Sequence, residues 1–549
     1  MTEFRNKLAL IRALLSNLQI IRVKPSINWF LTKYMGKFNL LNAGGQLIIH
    51  SHLPSVNSKA FTRFIDEHLL ARTEGPSHAQ IGLTNACPQN CRFCYNRGRN
   101  GELLNTAEIE QLVRDLKKMG VFWLGFTGGE PLLNKDIVEI IRSVGDDCAV
   151  KLFTTGFNLT EQLAAELKQA GLLYVSVSLD HWKEEEHDRI RGCKGAFRTA
   201  LKAIDIFKSA GVHVSVSAVI SRKMLQENQV VEFLEFLIGL GIHEAWLSEA
   251  KPTVEAFWNK AAIITEEERL SLVNLQDKYN KEGRITVNYL GHFEGGEHFG
   301  CNAGNKMVYI DAFGEVSPCV FTPMTFGNVR NKPVQTIFSE MKEHFPSESC
   351  CFINKNYELL KKHHRGQTPI SKEDTLEMMK EVRFGPLSDF SRMHNRPQIH
   401  GGVYMKLYKL FSLAAAAIFA VVGFIFLFFS DSAMIFFNSI SGYFGLPQAP
   451  TEGTNFYLIL ASAYMYLVTL LACLMYRYPE QNIYPFLLAQ GKLASSIISI
   501  YLFVTHRPYL IYFANFIVDG FIGIAALFFM KMKKQEYAYA HKNNADIHA

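Results

Sequence analysis

Between about residues 78 and 290, short runs rich in β-branched and aromatic residues alternate with longer segments whose apolar residues recur at helical spacing. The short runs predict strands and the longer segments predict helices. The predicted strands are His78–Thr84, Phe122–Thr127, Val150–Thr154, Leu173–Leu179, His213–Ile220 and His243–Leu247. The predicted helices are Thr106–Met119, Thr160–Ala170, Phe197–Ala210 and Gln226–Leu240. Strands that alternate with helices pair in parallel through right-handed crossovers.

This alternation sets the expected fold class, an α/β core built as a partial (β/α)6 TIM-like barrel. About six strand–helix units are too few to close the ring of eight, so we expect an open barrel. Chemistry in such barrels lies in the loops after the carboxyl ends of the strands. Residues 291 to about 400 are rich in Gly, Cys and charge and have one strand-like run, Lys306–Ile310. We expect a small Cys-containing extension there, which needs a cross-link to hold its structure.

The hydropathy pattern changes near residue 404. Leu410–Ser430 and Phe456–Tyr476 carry no charge and are long enough to cross roughly 30 Å of hydrocarbon. Two further spans, about 485–505 and 508–530, are equally apolar apart from Lys492 and Asp519. We therefore expect an all-α transmembrane four-helix domain.

The two charges inside these spans sit at nearly equal depth below the turn near His506. An ion pair between Lys492 and Asp519 would fit, because a lone charge is costly in a bilayer. The alternative is that Lys492 snorkels to the headgroups while Asp519 is protonated or bonded to Asn515.

These patterns divide the chain into four predicted regions. They are a basic amphipathic region (1–75), the α/β core (76–290), the Cys-containing extension (291–403) and the transmembrane domain (404–549). Residues 1–40 have seven Lys or Arg against a single acid, Glu3, with Leu and Ile at helical spacing. An interfacial helix on an anionic leaflet and a helix that caps the following domain both fit this pattern.

Charge and cysteine content narrow the class of protein. The net charge of +6 is modest for 549 residues, and no basic stripe with interleaved aromatics appears beyond the N-terminus, so we expect no nucleic-acid partner. Three of the ten cysteines lie within eight residues, and no secretory signal precedes them. Such crowding indicates metal ligation in the reducing cytosol rather than disulfides.

The segment Thr84–Asn96 reads TNACPQNCRFCYN and follows the first predicted strand. Cys87, Cys91 and Cys94 are spaced so that three thiolates can bind three irons of one cubic cluster. The fourth iron is then open to a small molecule, whereas an electron carrier usually closes every site with four cysteines. The alternatives are a zinc site, which would need four ligands in structural use, and chance clustering.

This motif, with Phe93 before its last cysteine, resembles that of the radical S-adenosylmethionine (SAM) superfamily, and the resemblance covers about residues 76–350. It implies a [4Fe–4S] cluster on Cys87, Cys91 and Cys94 whose open iron binds SAM. Reductive cleavage of SAM would then generate a 5′-deoxyadenosyl radical that abstracts hydrogen from a substrate. The cofactor carries the hard chemistry, and the protein places it.

The loop after the second predicted strand reads Thr127-Gly-Gly-Glu-Pro131 and matches the superfamily's GGEP motif. By resemblance, Gly128, Gly129 and Glu130 bind the amino group of SAM; a purely structural turn is the alternative.

The resemblance implies further SAM-binding candidates. They are Phe93 and the polar residues at or after the next strand ends, Thr155, Ser178, Asp180 and Arg191. The arginine fork suits a carboxylate. Ser and Thr at strand ends are also common turn or cap residues, and Arg189 or Arg191 could instead be a surface residue.

A second cysteine set begins with Cys301 and Cys319, with Gly314 between them. This spacing is similar to the opening of SPASM and Twitch extensions, which hold auxiliary iron–sulfur clusters. The later cysteine run of a full SPASM domain is absent from the sequence, so the extension looks more like the one-cluster Twitch form. Cys350 and Cys351 are the remaining candidate ligands, although adjacent side chains diverge. A cluster-free hairpin is the alternative.

The resemblance implies a radical SAM enzyme that acts on a peptide or protein. A lipid-soluble small molecule is the alternative substrate, and a non-catalytic iron–sulfur electron carrier is a remote alternative function. Expected partners are the membrane and a cytosolic electron donor such as flavodoxin or ferredoxin. We expect a multi-pass cell-membrane protein with its catalytic domain on the cytoplasmic side, because SAM and the reductant are cytosolic. Lys406, Lys409 and Lys531 lie at the helix ends that would then be inside, as the positive-inside rule expects.

Overall fold

The computed structural model of the chain describes residues 17–43, 45–394, 403–451, 455–479 and 481–546. The chain divides into two compact units between residues 396 and 397. The first unit contains the predicted α/β core and its extension, and the second contains the apolar helices. Predictions that concern residues 1–16 lie outside the described residues.

The first unit is built on a nine-stranded sheet and a separate two-stranded hairpin. The hairpin strands are β1 (Leu41–Ala43) and β2 (Gln46–Ile48). The strands of the large sheet are β3 (His78–Gly82), β4 (Trp123–Thr127), β5 (Ala149–Thr154), β6 (Tyr174–Ser178), β7 (His213–Ile220), β8 (Glu244–Glu249), β9 (Thr286–Tyr289), β10 (Met307–Ile310) and β11 (Val316–Ser317). Their order is β11-β10-β3-β4-β5-β6-β7-β8-β9. All neighbours pair in parallel except β10 and β11.

Helices connect these strands and cover the sheet. Those of the first unit are α1 (Pro25–Met35), α2 (Lys59–Arg63), α3 (Thr106–Lys118), α4 (Ile137–Val144), α5 (Glu161–Ala170), α6 (Glu184–Arg191), α7 (Ala196–Ser209), α8 (Arg222–Gln226), α9 (Gln229–Gly239), α10 (Glu266–Glu282), α11 (Leu290–Phe293), α12 (Val334–Lys342), α13 (Phe352–His363), α14 (Lys372–Glu381) and α15 (Asp389–His394). Short 3-10 and π segments also occur, among them the π-helix Phe64–Leu69 after α2.

Helix α3 shows why the sequence forms these elements. Asn105 caps it in a capping box with Glu108, and its apolar residues recur at the spacing that places them on one face. That face, which includes Ile109, Leu112 and Leu116, is buried against the sheet in the main core. The parallel sheet with covering helices confirms the predicted α/β class, and β3 to β8 correspond to the six predicted strands.

The strand-like run predicted in the extension belongs to the main sheet. Strand β10 pairs in parallel with β3, so Met307 lies opposite His78 and Ile310 opposite Ile81. The extension therefore continues the sheet beyond the six predicted strands at the β3 edge, and β9 continues it at the other edge. Pairing between distant segments is not encoded in local periodicity, so the sequence pattern could not reveal it.

The segment after β2 closes the amino-terminal end of the barrel. Ser51 accepts a hydrogen bond from the Trp123 indole at its carbonyl (2.9 Å) and one from the Lys151 ammonium at its hydroxyl (2.6 Å). Its backbone N–H donates to Glu244 at 2.8 Å. Residues of α1, including Ile27 and Leu31, are buried in the same core cluster as this segment. For the described residues, packing on the core accords with the capping alternative for the N-terminal region.

The second unit consists of long apolar helices. They are α16 (Val403–Phe428), α17 (Ser430–Tyr443), α18 (Asn455–Arg477), α19 (Ile483–Thr505) and α20 (Leu510–Asp546). Four of them contain segments long and apolar enough to cross a membrane: Leu407–Ile425, Ile459–Arg477, Ile483–Thr505 and Leu510–Met532. The sequence pattern predicted these four but treated the α17 segment as a loop.

The predicted contact between the two charges in this unit is confirmed. The Lys492 ammonium lies 2.9 Å from Asp519 Oδ1, and both side chains are buried. The ammonium also lies 4.5 Å from the centre of the Phe419 ring. Asn515 bonds Ser495 and Ser499 rather than Asp519. Pairing, not snorkelling, is the arrangement within this unit.

Candidate functional site

The carboxyl ends of the parallel strands meet at one edge of the sheet, where a single cavity opens. Both cysteine sets and most of the other predicted site residues line it. From the strand loops these are Cys87, Cys91, Phe93, Cys94, Gly128, Gly129, Thr155, Ser178 and Arg191. From the extension they are Cys301, Cys319 and Cys351, and Glu249, Lys251 and Glu294 line the same cavity. Residues up to about 260 positions apart are thus gathered by the parallel topology.

The first cysteine loop follows β3 and is held on both sides. Its Asn90 N–H donates to the Arg191 carbonyl at 2.9 Å. Gly192 permits this approach, because a Cβ there would lie 2.8 Å from the Asn90 carbonyl oxygen and its φ is +59°. On the other side, Asn96 accepts from the Tyr309 hydroxyl at 2.8 Å. Strand β10 therefore helps to fix the loop.

The thiols of Cys87 and Cys91 lack the lowered pKa of activated nucleophiles. Burial raises the pKa of Cys87 to about 11 and also raises the pKa of Cys91. Reactive cysteines have the opposite shift. Ligation to iron does not require a lowered pKa of the free thiol, because the metal itself favours the thiolate.

The GGEP loop after β4 packs tightly on the cysteine loop. Gly129 N–H donates to the Thr84 carbonyl at 2.6 Å, and Glu130 N–H donates to the Ala86 carbonyl at 2.7 Å. A Cβ on Gly128 would lie 2.3 Å from the Thr84 oxygen, and one on Gly129 would lie 2.2 Å from the Ala86 oxygen. Both positions therefore require glycine, and both backbones face the cavity.

Glu130 lies behind the cavity wall rather than in it. Its carboxylate is fully buried and accepts hydrogen bonds from the Thr154 hydroxyl at 2.6 Å, the Thr155 N–H at 2.7 Å and the Leu132 N–H at 3.0 Å. Burial raises the pKa of this carboxyl. As placed, Glu130 ties the GGEP loop to the end of β5 and positions Thr155. Direct contact of Glu130 with SAM stays a prediction.

Arg191 and Asp180 form a buried ion pair. Arg191 Nε lies 2.6 Å from Asp180 Oδ2, while Asp180 Oδ1 accepts from the Val219 N–H at 2.9 Å. Arg191 Nη1 also lies 3.9 Å from Cys91 Sγ, and the guanidinium lies 5.7 Å from the centre of the Phe93 ring. Arg191 is thus at the cavity beside the first cysteine set, and it is not the surface residue that the alternative required.

The adjacent cysteines 350 and 351 point to different places. Cys351 lines the cavity with Cys301 and Cys319. Cys350 is turned to Glu348, to which its thiol donates at 3.0 Å. The structure therefore gathers three thiols of the second set at the cavity and places the fourth against a carboxylate.

A lysine that the sequence pattern did not single out lies in the cavity beside the second cysteine set. Lys251 follows β8, and its ammonium contacts Glu249 at 2.8 Å, Glu294 at 2.9 Å and Cys351 Sγ at 3.2 Å. Burial by itself lowers the pKa of Lys251, but Cys351 and the two carboxylates outweigh it and raise that pKa. The rule used for the other strand ends, polar residues just after a strand, would have singled it out.

The candidate cysteine ligands fit iron–sulfur clusters better than they fit a single metal ion. Across the part of the chain that the structure describes, no three His, Cys, Asp or Glu side chains converge closely enough to hold one metal ion. A zinc site would need four ligands at roughly 2.0–2.3 Å from one point. Thiols arranged around an open cavity suit a multi-iron cluster instead.

Comparisons with known families agree with this geometry. Residues 81–237 match the radical SAM superfamily, and residues 301–359 match an iron–sulfur cluster-binding domain, SPASM. The first stretch contains the first cysteine set and the GGEP loop, and the second contains all four cysteines of the extension.

Two relatives are 26–27% identical to this chain over the aligned residues, and one solved structure is less similar. An AdoMet-dependent heme synthase of Methanosarcina barkeri is 27% identical over 49% of this chain and 84% of that protein. A PqqA peptide cyclase of Bradyrhizobium diazoefficiens is 26% identical over 39% of this chain and 58% of that protein. A crystal structure of SuiB from Streptococcus suis bound to the precursor peptide SuiA aligns with a TM-score of 0.42 at 16% identity, covering 54% of this chain and 75% of that one.

Proposed function

Because this chain is a radical SAM enzyme with a SPASM iron–sulfur cluster-binding domain, we propose that it is a membrane-anchored enzyme that abstracts hydrogen from a peptide or protein substrate. The two domains imply a [4Fe–4S] cluster, SAM and an auxiliary iron–sulfur cluster as cofactors. When bound, the first cluster and SAM together supply a 5′-deoxyadenosyl radical. The remaining roles belong to the chain's own residues.

One observation carries the proposal: a single cavity is lined by both cysteine sets. A substrate in this cavity would contact both the loops proposed to hold the first cluster and SAM and the cysteines proposed to hold the auxiliary cluster. The cavity is also walled by apolar and aromatic side chains, such as Phe153, Trp246 and Phe293, which exclude water from the reaction.

Each predicted site residue except Cys350, which contacts Glu348, has a proposed role. Cys87, Cys91 and Cys94 hold the first cluster, and Cys301, Cys319 and Cys351 hold the auxiliary one. The residues proposed to contact SAM are Phe93, Gly128, Gly129, Thr155, Ser178 and Arg191. Glu130 and Asp180 act behind them, because Glu130 fixes Thr155 and Asp180 fixes Arg191.

Peptide substrates are supported by relatives whose names state that they act on a peptide, the PqqA peptide cyclases. Four helices apolar enough to cross a membrane support the anchor. The proposed orientation places the first unit in the cytosol, where SAM and an electron donor such as flavodoxin or ferredoxin are found.

Transfer of deuterium tests the substrate class. We would incubate the detergent-purified holoenzyme with SAM, a reductant and either the short peptides or the lipids extracted from naturally expressing cells that were grown in deuterated medium. Mass spectrometry then follows deuterium in 5′-deoxyadenosine. The peptide fraction is expected to transfer deuterium, because the abstracted atom comes from a carbon of the substrate and does not exchange with water.

The variant with Cys87, Cys91 and Cys94 all changed to Ala is the control and should form no 5′-deoxyadenosine from either fraction. Deuterium that arrives from the lipid fraction alone would replace the peptide proposal with the lipid-soluble alternative.

A further inference from the structure

Lys251 is the most unusual charged residue of the cavity that the roles above leave unused. Its side chain is 1% exposed, and its ammonium has three close partners, Glu249, Glu294 and the sulfur of Cys351. An ammonium carries three N–H donors, so these contacts can use every donor it has.

Three separate parts of the fold bring these partners together. Glu249 is the last residue of β8, Glu294 follows α11, and Cys351 precedes α13. Asn354 on α13 also donates to Glu249, at 3.3 Å. Lys251 is therefore held by partners from three parts of the fold, and these partners together fix its ammonium against Cys351.

Burying an ammonium with two carboxylates is a poor way to gain stability. The desolvation of each charge offsets most of the attraction, and apolar residues of similar volume often stabilise a fold as well. An apolar replacement of Lys251 alone would lose the hydrogen bond to Cys351 together with both ion pairs, and of these contacts the hydrogen bond is the one made to a candidate cluster ligand.

Donors to the sulfur of a cluster ligand affect the cluster's reduction potential. An N–H donor and a nearby positive charge stabilise the extra electron of the reduced state, so they raise the potential. At 3.2 Å, the Lys251 ammonium supplies both to Cys351.

We propose that Lys251 is a positioning residue that raises the reduction potential of the auxiliary cluster by donating a hydrogen bond to the Cys351 ligand. The proposal rests on the auxiliary cluster of the proposed function. Glu249 and Glu294 hold the ammonium in place.

The test is a redox titration followed by low-temperature EPR. The background is the full chain with Cys87, Cys91 and Cys94 changed to Ala, so that the auxiliary cluster supplies the signal. In this background Lys251→Met should lower the equilibrium constant for reduction about tenfold, a fall of about 59 mV in midpoint potential for a one-electron couple. Lys251→Arg keeps an N–H and the charge and should stay near the parent value.

Lys355→Met is the matched control, because Lys355 pairs with Glu348 beside the outward-turned Cys350. It should leave the potential unchanged. An unchanged potential in Lys251→Met would overturn the proposal. If Lys251→Met fails to retain the cluster, Lys251→Gln decides: a potential below the parent supports the proposal, and an equal potential overturns it. Absence of any cluster signal in the background chain itself would instead refute the auxiliary cluster of the proposed function, and this proposal with it.

Discussion

At the scale of single residues, the two adjacent cysteines show what spacing can and cannot establish. Cys351 faces the cavity with Cys301 and Cys319, while Cys350 donates to Glu348. Sequence spacing treats the two as equivalent ligands, because the direction of a side chain depends on the backbone around it. In the structure, the side chains of these two neighbouring residues point to different places.

This difference gives a prediction for ligand exchange. Cys351→Ser should remove the auxiliary cluster's iron, whereas Cys350→Ser should retain it, because only the first change takes a thiol from the cavity. Iron and sulfide content, measured on the chain with Cys87, Cys91 and Cys94 changed to Ala, distinguishes the two variants. Equal losses in both would show that the loop rearranges to use Cys350.

Other site residues differ in how far the sequence could predict them. Cys87, Cys91 and Cys94 are close in sequence, so a local motif reveals them. Lys251 and Glu294 meet only because β8 and α11 end at the same edge of the sheet. Glu130 was predicted from its motif, but its bonds to Thr154 and Thr155 required the structure.

At the scale of elements, the periodicity of apolar residues predicts individual strands and helices but not the pairing of segments that are distant in sequence. The six core strands and four of the helices between them follow from the pattern of apolar residues, whereas helices α4 and α6 were not predicted. The pairing of β10 with β3 does not follow from this pattern, because a short run of apolar residues does not show which strand it will pair with. The exception is the pair of charges on α19 and α20, where counting residues from a shared turn predicts that Lys492 and Asp519 meet.

That contact predicts an energetic coupling between the two helices. Lys492→Met or Asp519→Leu leaves one unpaired charge within an apolar unit, at a cost on the order of 3 kcal/mol. The double change removes both charges and should cost less than either single change. The measurement is the free energy of unfolding of the full chain in mixed detergent micelles.

Lys531→Met is the control for this cycle, because Lys531 lies near the end of the α20 span rather than in its centre. It should be close to neutral. Losses that simply add in the double variant would mean that the contact contributes no coupling.

At the scale of the whole molecule, the chain combines the cavity lined by both cysteine sets with four helices long and apolar enough to cross a membrane. Basic residues lie at the helix ends proposed to be inside: Lys406 and Lys409 at the start of the first span, Arg477 at the end of the second and Lys531 at the end of the fourth. Residues 431–453 contain no Lys or Arg. This asymmetry is what the positive-inside rule requires if that connection is external.

The orientation is therefore a prediction that labelling can test. Tyr443 is 90% exposed at the end of α17, in the connection expected outside, and Met532 is the last residue of the fourth span, at the end expected inside. In intact cells, a membrane-impermeant maleimide should label Tyr443→Cys but should reach Met532→Cys only after permeabilisation. The wild-type chain is the background control, since its catalytic cysteines would be shielded in the cytosol. Labelling of Met532→Cys from outside, with Tyr443→Cys protected, would place the SAM-binding cavity on the wrong side of the membrane for its cofactor and refute the proposed orientation.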